Sequence, residues 1–483
     1  MSSIKSKVIK GIGWSFGQQF LRQFINIAIG VLLARLLEPR DFGLIGMVTI
    51  FTFFAQVLVD FGLGAALVQR QKLTDQLVST VFFMNFALSV IIYIILYISA
   101  PFIADFYGNV ELIDITRVMS LKFIIAGVTV VQKSVLTKYF KFKNLALVNT
   151  VALIVSSVVA LIMVYLGYGV WALVCKGLLD SLISSVIYWS YSEIRIKLLF
   201  SMRECKQVYN FGKYVVLNST LDYLVKNADS FIVGKVLGDV SLGIYNRAFS
   251  LMILPVRNVS RIVNKVIYPT FCEFQEDNER LANIYVKTCR VIALVVFPMM
   301  LWVSVNAHEL VLFLYGQKWA EMIPVIRVIS ILGALQTILV LNKSIYNSKG
   351  EVALGMRVNL IFSLFLIVCL LFGVYIGKLQ GLVNAYLLVN VIGFLPLLYF
   401  ATRLIKLNLI TLIGGLKKIL FVSILVAGIN YLFLKNINGD FASFFYLVAS
   451  LLVNGILYLG ILKLFKERAL SDVFNLIKNK RIA

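Results

Sequence analysis

Apolar residues run along this chain in blocks of roughly twenty, broken by short polar stretches that carry most of the charge. A helix rises about 1.5 Å per residue, so a block of that length spans the roughly 30 Å hydrocarbon core of a bilayer. Averaging over windows of about nineteen residues predicts spans at 12–37, 42–66, 78–100, 113–136, 145–166, 170–190 and 211–237. Seven more follow at 242–266, 289–307, 323–346, 352–376, 380–402, 416–434 and 443–464. Pro39, Pro101 and Gly167 punctuate the first half at loop positions. The pattern predicts an all-α integral membrane protein of about fourteen transmembrane helices. The connections leave no room for a soluble domain. The longest, 191–210 and 267–288, are expected to form amphipathic helices at the membrane surface.

Composition agrees with the pattern. The 483 residues are 60% hydrophobic and 14% charged, against about 25% charged in a soluble domain. A net charge of +23 would in isolation fit nucleic-acid binding, but its distribution decides otherwise. With the N-terminus inside, the cytoplasmic connections carry Arg70 and Lys72, Lys138, Lys141 and Lys143, Arg195, Lys197, Arg203 and Lys206. Arg280, Lys287, Lys349, Lys406 and the basic tail after Leu464 continue the series, while Arg40, Lys318, Lys378 and Lys435 stand nearly alone on the other side. This is the positive-inside bias of a bacterial inner-membrane protein with both termini cytoplasmic. Lys5, Lys7 and Lys10 resemble the start of a signal peptide, but the apolar segment after them is too long and contains Arg22 and Arg35, so it reads as an uncleaved first helix. Five scattered cysteines without a C-x-x-C pair indicate neither a disulfide framework nor a zinc site.

The two halves repeat. Arg35, Leu37 and Gly43 recur 200 residues later as Lys235, Leu237 and Gly243, and Tyr107-Gly108 recurs as Tyr315-Gly316. At a spacing of 210, Ile113, Arg117, Val118 and Ser120 match Ile323, Arg327, Val328 and Ser330, and Lys133-Ser134, Val148-Asn149, Tyr165 and Gly167 also recur. Six helices per copy is an even number, so both copies enter the membrane the same way round, with substrate expected between them. The expected organisation is an N-terminal bundle over 1–190, a cytoplasmic linker at 191–210, a second bundle over 211–403, and two further helices with a basic tail over 404–483.

Ionisable residues inside spans are unfavourable by about 2.5–3.5 kcal/mol on insertion scales, and they usually face a cavity or one another. The candidates are Arg22, Asp60, Arg117, Lys122, Lys176, Asp180, Asp222, Lys226, Asp229, Arg247, Arg257 and Arg327, eight cations against four carboxylates. Such an excess suits an anionic cargo. Arg22, Lys176, Lys226, Arg247, Arg257, Arg117 and Arg327 are candidate cargo cations, and Gln18, Gln19, Asn26 and Asn218 are candidate partners for sugar hydroxyls. Asp222, Asp229, Asp180 and Asp60 are candidate sites for coupling to H+ or Na+. The alternatives are internal pairing of Lys176 with Asp180 and within Asp222, Lys226 and Asp229, each set at helical spacing. For Arg117, Arg327, Asp60 and Arg257 they are structural roles near the membrane edge.

A stretch of motifs carries a family resemblance. Ala34-Arg-Leu-Leu-Glu-Pro-Arg-Asp-Phe-Gly-Leu44, Asp60-Phe-Gly-Leu63, Leu67-Val-Gln-Arg70, Ala100-Pro-Phe-Ile-Ala104 and Gly169-Val-Trp-Ala-Leu-Val174 resemble the polysaccharide transporter family of lipid-linked oligosaccharide flippases, of the O-antigen and colanic-acid type. So do Asn227-Ala-Asp229, Ile232-Val-Gly-Lys-Val-Leu-Gly238, Leu242-Gly-Ile-Tyr245, Arg247-Ala-Phe-Ser250, Pro255 and Tyr315-Gly316 before Trp319. That family shares a superfamily with multidrug and toxin extrusion antiporters and the lipid II flippase. The resemblance implies two six-helix bundles in a V around a central lumen that opens alternately to each side, followed by two C-terminal helices. It also implies an oligosaccharide on undecaprenyl pyrophosphate as cargo, with polysaccharide polymerase machinery as a partner. The family often has arginine ahead of the Asn-x-Asp element; Lys226 keeps the charge but not the bidentate fork.

Other classes are disfavoured by what the chain lacks. His308 is the sole histidine, and no Walker motif is present. Gly11, Gly13 and Gly17 open a membrane helix without a preceding strand, so they make no dinucleotide site. No cofactor, metal or covalent chemistry is expected. A membrane polymerase or ligase would need a larger extramembrane region. A multidrug or cation antiporter of the same fold would use a lumen poorer in cations, and the facilitator-type 6+6 transporters would carry a Gly-rich basic loop in place of Gln69–Thr74.

Overall fold

The computed structural model describes residues 22–60, 63–192, 194, 196–206, 220, 223, 225–436 and 443–465. The described residues are helical throughout, without a strand. Helix α1 is described over 22–36. It is followed by α2 (Pro39–Asp60), α3 (Leu63–Gln69), α4 (Asp75–Tyr107), α5 (Leu112–Gly127), α6 (Val130–Lys138), α7 (Phe142–Tyr165) and α8 (Val170–Ser190). The second part holds α9 (Ala228–Ile262), α10 (Tyr268–Glu273), α11 (Asn278–Val305), α12 (Ala307–Leu314), α13 (Met322–Ser348), α14 (Val352–Leu404), α15 (Leu409–Asn436) and α16 (Ser443–Leu464). Among the described residues, eight helices are long and apolar enough to cross a membrane. Outward-facing apolar side chains such as Ile361, Phe372 and Ile392, each at least 60% exposed, mark lipid-facing surfaces rather than a water boundary. The protein is a multi-pass membrane protein.

Contacts divide the chain into two compact units, Met1–Gly243 and Ile244–Ala483. In the first, Thr74 caps α4 by accepting the Leu77 N–H at 3.2 Å, and Gly108 closes it in the left-handed conformation at φ 70°. The span predicted over 113–136 is two helices, α5 and α6, separated at Val128–Thr129. Backbone carbonyls at membrane depth need partners. Here the Asn85 side-chain amide donates to the Gly127 carbonyl at 2.9 Å and the Trp189 indole N–H donates to the Val128 carbonyl at 3.0 Å.

The connection expected to be a surface helix at 191–210 is instead non-helical over its described residues up to Ser201. Its backbone is held by the ends of α4: the Lys197 N–H donates to Ser79 Oγ and the Ser201 N–H to Thr80 Oγ1, both at 3.0 Å. Those bonds compete with a helical ladder for the same donors.

In the second unit, α14 is two helices merged across a reversal at Gly377–Lys378. Residues 373 and 381 would lie about 12 Å apart on one straight helix, yet a Cβ on Gly381 would fall 2.1 Å from the Gly373 carbonyl oxygen. Two small residues therefore let antiparallel helices touch backbone to backbone. The 289–307 span begins earlier than predicted, at Asn278, where Asp277 accepts the Arg280 N–H at 3.0 Å and starts α11. Buried polar side chains tie the helices. Tyr285 donates to Asn342 Oδ1 at 2.8 Å, the Asn342 amide donates to the Leu397 carbonyl at 3.0 Å, and Tyr458 donates to the Leu294 carbonyl at 3.0 Å.

Two local features occur at or near matched positions of the two halves. Gly108 and Gly316, equivalent at a spacing of 208, both take positive φ, 70° and 84°. The Lys138 ammonium holds the Arg70 carbonyl at the end of the preceding short helix. Lys349, within one residue of the 210 spacing, likewise holds the Gln275 carbonyl and the Asn278 side chain.

Candidate functional site

Helix α8 carries Lys176 and Asp180 one turn apart, so both lie on one face. That helix packs against α5 and α7. The Thr129 hydroxyl just past α5 donates to Ser185 Oγ at 3.1 Å, which fixes the rotation of α8. Helix α5 contributes Lys122, whose ammonium stands over the Phe53 and Phe123 rings at 5.7 and 5.9 Å, within cation–π range. Arg22 comes from α1.

These residues converge. Lys176, Arg22 and Lys122 all act electrostatically on the Asp180 carboxylate. Among the described residues, three cations therefore act on this one carboxylate. Arg22 Nε is buried and has no hydrogen-bond partner among the described residues. Beside the cluster, the Tyr188 hydroxyl donates to Asn149 Oδ1 at 3.3 Å, and Tyr188 also feels Arg22 and Asp180. A low-dielectric interior makes such a cluster a strong anion attractor, because fixed cations there are poorly screened.

The arrangement extends the residue-level expectation in two ways. Lys122 appeared in the sequence only as one more intramembrane cation, and the structure gives it a place in the cluster. Asn149 and Tyr188 drew no functional assignment; the one available signal was that Val148-Asn149 recurs as Val358-Asn359. Lys176 acts on Asp180, as expected of a pair at that spacing, and Arg22 and Lys122 act on the same carboxylate.

The other candidates lie elsewhere. Arg117 is five residues from Lys122, about 140° around the helix, with its guanidinium over the Tyr97 ring at 4.6 Å. Asn26 is exposed. Asp229 is buried at 7% exposure and accepts the Ser230 N–H at 2.7 Å, whereas Lys226 is exposed beyond a turn at Asn227. Gln18, Gln19, Asn218 and Asp222, and the side chain of Asp60, lie outside the described residues. In the second unit Arg247 is half-buried and interacts with Tyr315, Arg257 is exposed, and Arg327 is exposed with its carbonyl accepting from Ser304 Oγ at 2.8 Å.

Two cavities of the first unit are separate from the cluster. One of about 440 Å³ lies between α4, α6 and the 191–197 segment, lined by Asp75, Gln132, Tyr139, Lys141, Tyr191 and Lys197 among others. The other, about 380 Å³, is apolar and aromatic, with Phe51, Phe54, Phe102, Phe106 and Phe231 on its walls. Neither is lined by Arg22, Lys122, Lys176 or Asp180.

A family model described as "Polysaccharide biosynthesis protein" matches residues 32–324. The teichuronic acid biosynthesis protein TuaB of Bacillus subtilis is 26% identical, over 85% of this chain and 85% of that protein. The lipopolysaccharide biosynthesis protein WzxC of Escherichia coli is 23% identical, over 81% of this chain and 80% of that protein. A solved structure of the lipid II flippase MurJ superposes with a TM-score of 0.73 at 14% identity, covering 94% of this chain and 98% of that one. At that identity the likeness is one of fold.

Proposed function

Because the chain belongs to the polysaccharide biosynthesis protein family, we propose that it is a flippase that moves an oligosaccharide repeat unit on undecaprenyl pyrophosphate from the cytoplasmic to the outer leaflet. It catalyses no covalent step. The observation that carries the reading is that Arg22, Lys122 and Lys176 all act on the carboxylate of Asp180. A pyrophosphate entering a bilayer loses its hydration, and buried cations replace that hydration with charge-assisted hydrogen bonds. Asp180 keeps the cations in place and limits their mutual repulsion while no cargo is bound. The polar pair Tyr188–Asn149 beside them offers a donor and acceptor set suited to sugar hydroxyls.

In this proposal fourteen helices span the inner membrane with both termini cytoplasmic. Two six-helix bundles, over 1–190 and 211–403, alternate access to a central lumen, and two helices follow. An inside-negative potential contributes about 2.3 kcal/mol per charge per 100 mV, which favours outward movement of an anionic head group. Coupling to H+ or Na+ is assigned to Asp229, the most buried of the described candidate carboxylates, and not to Asp180, whose cationic neighbours disfavour a second cation. The product appears in the outer leaflet, where polysaccharide polymerase machinery would take it up.

Complementation of a bacterial strain lacking its own flippase, with a defined surface polysaccharide as readout, tests the class. Restored polysaccharide is the expected result. Rescue of drug resistance without polysaccharide would instead assign a multidrug antiporter, a class whose cationic cargo the Arg22–Lys122–Lys176 cluster would repel.

A further inference from the structure

Three of the basic connections meet at one cavity of the first unit. It draws Asp75 from the start of α4, Tyr139 and Lys141 from the turn between α6 and α7, and Tyr191 and Lys197 from the segment after α8, around about 440 Å³. The three segments are tied to one another. The Lys197 ammonium bonds the Asp75 carboxylate, and the Lys138 ammonium bonds the Arg70 carbonyl. Ser79 and Thr80 of α4 accept the Lys197 and Ser201 N–H groups. These bonds fix the walls around the space.

The surface beside the cavity is aromatic. Tyr139 and Phe140 are 57% and 70% exposed, and Phe142, Trp189 and Tyr191 are exposed as well. Phe140 takes a left-handed backbone at φ 55°, a conformation that side chains rarely adopt. The turn is held where the Lys141 N–H donates to the Leu136 carbonyl at 2.9 Å. The Phe140 and Phe142 rings meet edge to face at 5.9 Å. Beyond Lys197 the chain exposes Leu198, Phe200 and Met202 ahead of Arg203. Exposed aromatic and apolar side chains set among lysine and arginine are the composition of a membrane–water boundary.

We infer that this cavity binds the head group of an anionic phospholipid of the cytoplasmic leaflet, its phosphate on Lys141 and Lys197 and its acyl chains along the aromatic surface. The inference rests on the reading given above for one point, that these connections lie on the cytoplasmic side. Loop cations there ordinarily meet anionic lipid only diffusely, whereas a basic pocket between membrane helices on that side holds a head group. Among the described lining residues two lysines stand against one carboxylate. An ammonium has three N–H donors, so Lys197 keeps two for a phosphate while it bonds Asp75. Ser192 and Gln132 add a hydroxyl and an amide to the lining, and Val78 and Val135 give it an apolar wall. That mixture suits an amphiphile. A free inorganic anion would gain nothing from the apolar wall or from the aromatic surface outside it.

The test titrates the delipidated full-length protein with phosphatidylglycerol and counts bound lipid by native mass spectrometry. One saturable molecule is expected, bound at least tenfold more weakly in the double variant Lys141→Gln, Lys197→Gln. The control is Lys72→Gln with Lys143→Gln, exposed lysines of the same connections that do not line the cavity; it is expected to bind as the unaltered protein does. Should the Lys197 change prevent folding, Lys141→Glu with Lys197 kept is expected to give the same loss. Phosphatidylcholine and inorganic phosphate are expected not to displace the lipid. Equal weakening in the two double variants would overturn the site and leave a diffuse surface attraction. Displacement by inorganic phosphate would make it a free-anion site, and displacement by undecaprenyl pyrophosphate oligosaccharide would make it a cargo site; either result overturns the proposal. The titration needs no transport. Saturable, lysine-dependent binding in a protein that exports no polysaccharide would therefore overturn the cargo reading and leave this site standing.

Discussion

Lys122 owes its place at the centre of the cluster to contacts far along the chain. Its ammonium stands over two aromatic rings, and Asp180 attracts it. Losing a hydrogen bond to a charged group costs about 1.5–3 kcal/mol. Lys122→Gln is therefore expected to lower the rate of flipping about ten- to a hundredfold in reconstituted vesicles at unchanged protein level. Asp180→Asn leaves three cations without their carboxylate, and the expected outcome is lowered thermal stability without cargo that added lipid-linked pyrophosphate partly recovers. Equal stability with and without that lipid would show that Asp180 has no such role. The cluster was only partly legible in the sequence. Arg22 stood out because no carboxylate lies near it on its own helix, but Asp180, on which it acts, is carried by α8, which packs against α5. No local spacing encodes that packing.

At the scale of elements, span positions were readable because burial in lipid imposes a run of apolar residues that needs no knowledge of neighbours. The interruption between α5 and α6 was not. It depends on Asn85 and Trp189, on other helices, accepting the cost of freeing the Gly127 and Val128 carbonyls. The non-helical segment after Tyr191 was missed for the same reason: Ser79 and Thr80 supply its partners from α4. Close helix pairs are sensitive to added volume. Gly381→Leu would force side-chain atoms into the Gly373 carbonyl, so the yield of monodisperse protein in detergent is expected to fall sharply, whereas Gly414→Leu, with open space around it, is expected to have little effect. Asn342→Ala removes the acceptor of the Tyr285 hydroxyl and a donor to the Leu397 carbonyl. It is expected to destabilise the second unit by about 1–3 kcal/mol, read as a lower thermal midpoint.

For the whole molecule, the duplication links sequence and function. It was legible as matches at spacings of 200, 208 and 210 across loops and helices, and Gly108 and Gly316 share a positive φ. The claim on which the account turns is that the Arg22–Lys122–Lys176 cluster binds a lipid pyrophosphate. Binding of undecaprenyl pyrophosphate oligosaccharide to the purified protein in nanodiscs measures it directly, with the triple change of Arg22, Lys122 and Lys176 to glutamine as control. The account predicts saturable binding that weakens as salt rises and falls at least a hundredfold in the triple variant. Equal affinity of the two proteins for the lipid would contradict it.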